Sequence, residues 1–313
     1  MTPNLPLPLR GIIPPMVTPL VDRDTLDVAG LERLIEHILG GRVHGLFVLG
    51  TTGEAPSLSH RLRRELVERT CRQVRGRVPV LVGITDTAFV ESVQMAGIAA
   101  DAGASAVVLA PPYYFPAGQA ELVEYLEHLT PELPLPLFLY NMPSHTKLSF
   151  DLDTVRRAAD LPGIVGLKDS SASMIYFQRL LSLFQNRPEF TLLVGPEELL
   201  GESVLLGGHG GINGGANFYP KLYVQLYDAA TRRDLDRVAE LHRQVMRIST
   251  GIYSVGRFGS SYLKGVKCAL SLLGVCDDFM AEPFHRFNPP ERARIEQELH
   301  SLGLLGARAD AGA

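Results

Sequence analysis

The chain has 313 residues, 46% of them hydrophobic and 20% charged, with a net charge of −4. This is an ordinary globular composition. So small a net charge excludes a strongly basic surface for nucleic acid or anionic membrane, and no apolar run reaches the roughly 18 residues of a bilayer span.

Residues 1–10 are Pro-rich without a signal-peptide core and read as a tail or strap. Strands are predicted at 11–18, 44–49, 78–84, 104–110, 135–140, 164–168, 190–194 and 210–212. Helices are predicted between them at 28–39, 59–74, 89–102, 119–129, 152–159, 174–184, 197–206 and 219–231. Asp27 and Ser59 are N-cap candidates, and Gly40-Gly41 is a stop signal. The strands are continuous apolar runs, as in a parallel sheet covered by helices. Eight such βα units in roughly 220 residues suit a (β/α)8 barrel over 11–234. A doubly wound open sheet is the alternative, but Pro14-Pro15 and Thr18-Pro19 stand where its phosphate fingerprint would be. Residues 235–305 show helical spacing without strands, with Leu241, Val245 and Ile248 on one face and Tyr262, Val266, Ala269 and Leu273 on another. They are expected to form a C-terminal helical appendage, and 306–313 a frayed end.

Cys71, Cys268 and Cys276 are odd in number and share no metal or redox spacing. They read as buried thiols of a cytoplasmic protein. The nine histidines have no paired helical spacing for a metal.

The predicted sixth strand runs straight into Lys168. A lysine at the end of a buried strand loses hydration, its pKa falls, and its neutral amine can attack a ketone to form a Schiff base. The simpler reading is a lysine that snorkels to water, so its neighbours decide. In a barrel the C-terminal strand ends share one rim. They bring Gly50-Thr51-Thr52-Gly53-Glu54, Pro111-Pro112-Tyr113-Tyr114, Tyr140-Asn141-Met142-Pro143 and Gly195-Pro196-Glu197-Glu198 to the same side as Lys168. The Gly50–Gly53 turn offers backbone N–H groups and two hydroxyls, enough for a small carboxylate, or is an ordinary strand-to-helix turn. Tyr140 can move the protons that a Schiff-base cycle requires, with Thr51 and Tyr114 as relay partners. Tyr113 reads as packing.

Together these segments resemble the family of dihydrodipicolinate synthase and N-acetylneuraminate lyase, pyruvate-handling class I aldolases on a (β/α)8 barrel. The motifs are Gly-Thr-Thr-Gly-Glu at 50–54, Pro-Pro-Tyr-Tyr at 111–114, Tyr-Asn-Met-Pro at 140–143, Gly-Leu-Lys-Asp-Ser at 166–170 and Gly-Gly-His-Gly-Gly-Ile-Asn at 207–213. The resemblance implies that Lys168 forms the Schiff base and Tyr140 is the general acid/base. It implies that Thr51 and Thr52, beside Gly50, hold the carboxylate, and that the backbone at Ile212 contacts the oxo acid. Tyr114 would reach into a neighbouring subunit to complete a Thr–Tyr–Tyr relay in a homotetramer built as a dimer of dimers. No metal or organic cofactor is implied, because the iminium is the electron sink.

His145 stands where the synthases that use aspartate semialdehyde carry an arginine. An imidazole cannot replace that bidentate fork. Glu197 and Glu198, beside Gly195, stand where sialic-acid lyases bind the hydroxylated tail of the sugar, and Ser170 could act likewise; equally, the two acids suit the start of the next helix. Gly214 replaces a serine of those lyases. The expected activity is reversible aldol cleavage of a 2-oxo acid, a 2-keto-3-deoxy sugar acid above all, to pyruvate and an aldehyde. The alternatives are dihydrodipicolinate synthase, N-acetylneuraminate lyase, a 2-keto-3-deoxy acid dehydratase, or a non-catalytic binding barrel.

Overall fold

A computed structural model describes residues 5–306. Residues 307–313 of the expected frayed end at 306–313 and the first four residues lie outside them. Eight parallel strands form one sheet: β1 Gly11–Ile12, β2 Leu46–Val48, β3 Val80–Gly83, β4 Ala106–Leu109, β5 Leu137–Asn141, β6 Ile164–Asp169, β7 Thr191–Val194 and β8 Gly210–Gly211. Each of β2 to β7 pairs with the next in sequence, and β8 returns to β1. The ring closes where Phe47 N donates to Pro14 O at 3.0 Å and Met16 N to Phe47 O at 2.8 Å. The result is a (β/α)8 barrel.

The outer helices are α1 Val28–Gly40, α2 His60–Val74, α3 Phe89–Ala102, α4 Gln119–Leu129, α5 Leu152–Ala158, α6 Met174–Leu183, α7 Leu200–Leu205 and α8 Pro220–Thr231. Asp27 and Ser59 accept hydrogen bonds from Gly30 N and Leu62 N as N-caps. Gly40 still belongs to α1, and Gly41 ends it. Three further helices, α9 Leu235–Gly251, α10 Ser261–Leu272 and α11 Pro289–Ser301, make the C-terminal region. The hairpin Leu20–Asp22/Thr25–Leu26 and the short helix Pro143–Thr146 escaped the pattern reading, being shorter than any periodicity can register. The segment expected as helix 197–206 opens with a 3-10 turn, Glu197–Leu199.

Although the strands are mostly apolar, their side chains alternate between two cores. Leu46, Val48, Val107, Leu137, Leu139 and Leu167 face the helices. Phe47, Leu81, Ala106, Val108, Phe138, Tyr140, Leu193 and Ile212 fill the barrel. Leu9, within the segment expected as a tail or strap, is buried in this inner core, and its N–H donates to Thr191 Oγ1 at 2.9 Å.

Strand β6 carries an irregularity that matters for the site. Its register against β5 shifts between the pairs Leu137–Ile164 and Phe138–Gly166, leaving Val165 as an extra residue. A single inserted residue flips the facing of everything after it. Beyond Val165, Leu167 packs outward, so Lys168 faces inward beside its registered neighbour Tyr140. Gly166 leaves room for the inward Phe138 ring, which would lie 2.8 Å from a Cβ there.

Candidate active site

Lys168 is 4% exposed. Its Nζ lies 4.0 Å from the centre of the Tyr140 ring and 5.2 Å from that of Phe47. Desolvation pulls the lysine pKa below its ordinary value, and the favourable contact with Tyr140 opposes the fall only in part. The next residue, Asp169, accepts from Asn141 Nδ2 at 2.8 Å and from Ser171 N at 3.1 Å and Oγ at 2.9 Å. Asn141 in turn accepts from Phe150 N at 3.1 Å. This buried network ties the ends of β5 and β6 together and holds Tyr140 next to Lys168.

Thr51 Oγ1 is 3.2 Å from Tyr140 Oη. The turn that carries it is bracketed by two non-glycine residues in the left-handed region, Leu49 (φ 59°) and Glu54 (φ 56°). Such conformations cost of order 1 kcal/mol each and survive where surrounding packing imposes them. Leu49 is buried, and Gly83 gives it room: a Cβ there would fall 2.1 Å from Leu49 O. Thr18 Oγ1 donates to Gly53 O at 2.7 Å. The buried carboxylate of Glu54 pairs with Lys267 and accepts from Ala281 N at 2.9 Å.

These residues open on a cavity of about 580 Å³ that gathers Thr51, Thr52, Tyr140, His145, Lys168, Ser170, Gly195, Glu197, Glu198 and Ile212. A larger, open groove of about 720 Å³ between α1 and α2 lies away from the strand ends and lacks convergent chemistry. Gly50 stands behind the cavity, in an adjoining hollow, with the Phe47 ring 2.6 Å from where its Cβ would be. Ile212 is buried, and its N–H donates to Val194 O at 2.8 Å. His145 sits at the mouth, its Nδ1 2.9 Å from Ser144 Oγ. Lost hydration, then Lys147 and Lys168, hold its pKa below the usual histidine value, which favours the neutral ring.

Tyr114 is not brought into the cavity of its own chain. It is 75% exposed, edge-on to Phe115, while Tyr113 lines the adjoining hollow beside Tyr140. Glu197 is deeply buried. Its Oε1 accepts from Tyr253 Oη at 2.7 Å and from Tyr223 Oη, and its Oε2 accepts from Gly215 N at 2.9 Å. Burial outweighs these bonds and lifts its pKa to about 7. Glu198 accepts from Ser249 Oγ.

Two tyrosines of the cavity escaped the sequence reading. Tyr253 and Tyr262 come from the C-terminal region, where Tyr262 read as part of a packing stripe. No local motif marks them, since they meet the barrel only in space. Tyr262 Oη is 3.0 Å from Thr52 Oγ1.

The fold and this rim define a barrel enzyme of the aldolase and lyase class. The model of the Dihydrodipicolinate synthetase family matches residues 8–302. The 4-hydroxy-tetrahydrodipicolinate synthase of Methanopyrus kandleri is 30% identical over 95% of this chain and 97% of its own. The dihydrodipicolinate synthase structure of Bacteroides thetaiotaomicron superposes with a TM-score of 0.92 at 60% identity, covering 95% of this chain and 99% of that one. Escherichia coli K12 YagE, whose name proposes 2-dehydro-3-deoxy-D-gluconate aldolase activity, was solved with pyruvate and superposes with a TM-score of 0.90 at 30% identity over 95% and 100% of the two chains. The chain belongs to the dihydrodipicolinate synthetase family and is a lyase of the class I aldolase type. That membership sets aside the non-catalytic alternative.

Proposed function

We propose that the protein is a Schiff-base pyruvate lyase that cleaves a 2-keto-3-deoxy sugar acid to pyruvate and an uncharged, hydroxylated aldehyde, reversibly. The chemistry rests on one observation: the desolvated amine of Lys168 lies against Tyr140, whose hydroxyl is bonded to Thr51. Lys168 Nζ adds to the C2 carbonyl, and loss of water gives the iminium. Tyr140, having given its proton to the departing water, takes the proton of the C4 hydroxyl. The C3–C4 bond breaks, its electron pair moves to the iminium nitrogen, and the aldehyde leaves. Tyr140 then returns its proton to C3 of the enamine, and water releases pyruvate from Lys168. Thr51 and Thr52 hold the carboxylate. No metal or organic cofactor takes part, because the iminium accepts the electrons. Tyr114 joins the relay from a second copy, in a cytoplasmic homotetramer; its exposure on the single chain supports that role.

The substrate class rests on the cavity wall. Among the residues lining it, Lys168 is the one lysine or arginine, and the surroundings of His145 disfavour its charged form. A second carboxylate on the aldehyde would find no permanent cation, whereas hydroxyls would find Ser170, Glu198 and the tyrosines. Condensation of pyruvate with aspartate semialdehyde is the second reading, favoured by the 60% identity to the Bacteroides thetaiotaomicron protein.

Borohydride trapping with pyruvate and peptide mapping tests the chemistry, beside a lactate-dehydrogenase-coupled panel of 2-keto-3-deoxy acids, sialic acid and 4-hydroxy-2-oxoglutarate. An adduct on Lys168 with pyruvate release from a 2-keto-3-deoxy sugar acid is expected. An adduct with no release, followed by turnover of aspartate semialdehyde, would replace the lyase with the synthase.

A further inference from the structure

The Thr52 hydroxyl has a partner that the strand-end motifs do not supply. Tyr262, at the start of α10, places its phenol 3.0 Å from Thr52 Oγ1 across 210 positions of sequence. Both residues line the cavity. Two hydroxyls joined by one hydrogen bond hold two protons. One lies between the oxygens, and the other is left for a further acceptor. Whichever oxygen donates within the pair, one hydroxyl proton remains for a group bound in the cavity.

The surroundings are shaped to hold this phenol. A Cβ at Gly214 would lie 1.7 Å from Tyr262 Oη, so any side chain there would evict it. The Tyr253 ring packs edge-on to Tyr262, with centroids 4.9 Å apart. Tyr253 is itself held by Glu197, together with Tyr223 and the Gly215 N–H. A Cβ at Gly215 would meet Tyr223 Oη at 1.9 Å and Tyr253 Oη at 2.7 Å. The two glycines thus make room for three phenols drawn from α8, α10 and the segment after α9. Burial, then the Glu197 charge, raises the Tyr262 pKa, which keeps it a protonated donor.

We propose that Tyr262 is a positioning residue for the carboxylate of the 2-oxo acid: it orients the Thr52 hydroxyl so that the free proton of the pair meets that carboxylate. The inference rests on the Schiff-base reading above, and its test separates the two.

The test compares borohydride trapping on Lys168 with pyruvate and with acetone, which offers the same ketone without a carboxylate. In Tyr262→Phe the pyruvate concentration for half-maximal trapping rises about tenfold relative to that of acetone, the scale of one charge-assisted hydrogen bond. General damage to the cavity would move both carbonyls together. Thr52→Val has a similar effect, and adding Tyr262→Phe to it changes the pyruvate value by less than about twofold, since the shared bond is already gone. Gly214→Ala, which leaves Tyr262 in place and displaces its hydroxyl, shifts the ratio in the same direction and serves if Tyr262→Phe folds poorly. Equal shifts for pyruvate and acetone, an unchanged ratio, or full additivity in the double variant would overturn the assignment of Tyr262 and leave the Schiff base standing. No adduct in the unaltered enzyme would overturn the Schiff-base reading, and this inference with it.

Discussion

The carboxylate of Glu54, at the end of the turn that carries Thr51 and Thr52, is paired with the ammonium of Lys267 on α10, and both side chains are almost wholly buried. Lys267 also donates to Phe279 O at 2.7 Å, and Glu54 accepts from Ala281 N. The pair therefore joins the carboxylate-binding turn to the C-terminal helices. Removing one partner leaves a buried charge unmatched, which costs about 3–5 kcal/mol. Lys267→Met is expected to lower the urea unfolding free energy by that order, and Glu54→Gln added to it should recover part of the loss. A Lys267→Met enzyme as stable as the unaltered one would show that the pair contributes nothing net.

Lys168 sets a conflict between stability and chemistry. Its pKa in the folded chain lies below the ordinary lysine value of 10.5 because burial disfavours the charged form. Between the two pKa values the unfolded chain binds a proton that the folded chain does not, so stability rises with pH across that window and the full penalty stands below it. Lys168→Met, similar in volume and uncharged, is expected to abolish turnover yet raise the thermal midpoint at pH 7. The gain should shrink as pH climbs toward 10.5. A lower midpoint at pH 7 would contradict the desolvation argument.

Glu197 works in the opposite sense. Its pKa is raised from 4.5 to about 7, so the folded chain holds a proton that the unfolded chain has lost over that range. Stability from this group falls as pH rises from about 4.5 to 7. Glu197→Gln should flatten the pH dependence of unfolding in that window, read by thermal melts at half-unit steps. An unchanged slope would mean that the three hydrogen bonds to the carboxylate offset its burial.

Tyr140→Phe removes the hydroxyl bonded to Thr51 and leaves the ring beside Lys168. Loss of a general acid/base typically costs about 10²–10⁴-fold. Pyruvate release should fall by that factor, while the Lys168 adduct is still trapped after long incubation. A fall of less than tenfold would remove Tyr140 from the proton path.

His145→Arg would place a bidentate cation at the mouth of a cavity whose lining holds no arginine. Condensation with an aldehyde that carries a carboxylate should gain about 10- to 100-fold in kcat/KM relative to an uncharged hydroxyaldehyde. No change in that ratio would show that position 145 does not select the second substrate.

The barrel was legible because its signals are local. Asp27 and Ser59 cap helices as their side chains predict, and the strand runs are read one segment at a time. The facing of Lys168 was not legible, because it depends on the extra residue Val165 in β6, a matter of pairing with β5. The acids at 197 and 198 read equally as sugar ligands or helix-start charges. Three-dimensional packing placed Glu197 under two phenols, one on α8 and one in the segment after α9, and left Glu198 bonded to Ser249. Tyr114 read as a relay member, and on the single chain it points to solvent.

By itself the sequence determined the eightfold βα order, the strand ends that bear chemistry, and the motif set that marks the family. Those features follow from the spacing of apolar and turn residues along the chain, which needs no long-range contact to be read. Only the tertiary structure decided that Lys168 is dry and beside Tyr140, that Glu54 is bound to Lys267, and that Tyr262 meets Thr52 over a glycine. Each of those relations joins residues far apart in sequence or set by strand register, and close packing fixes them to within an ångström where periodicity carries no information.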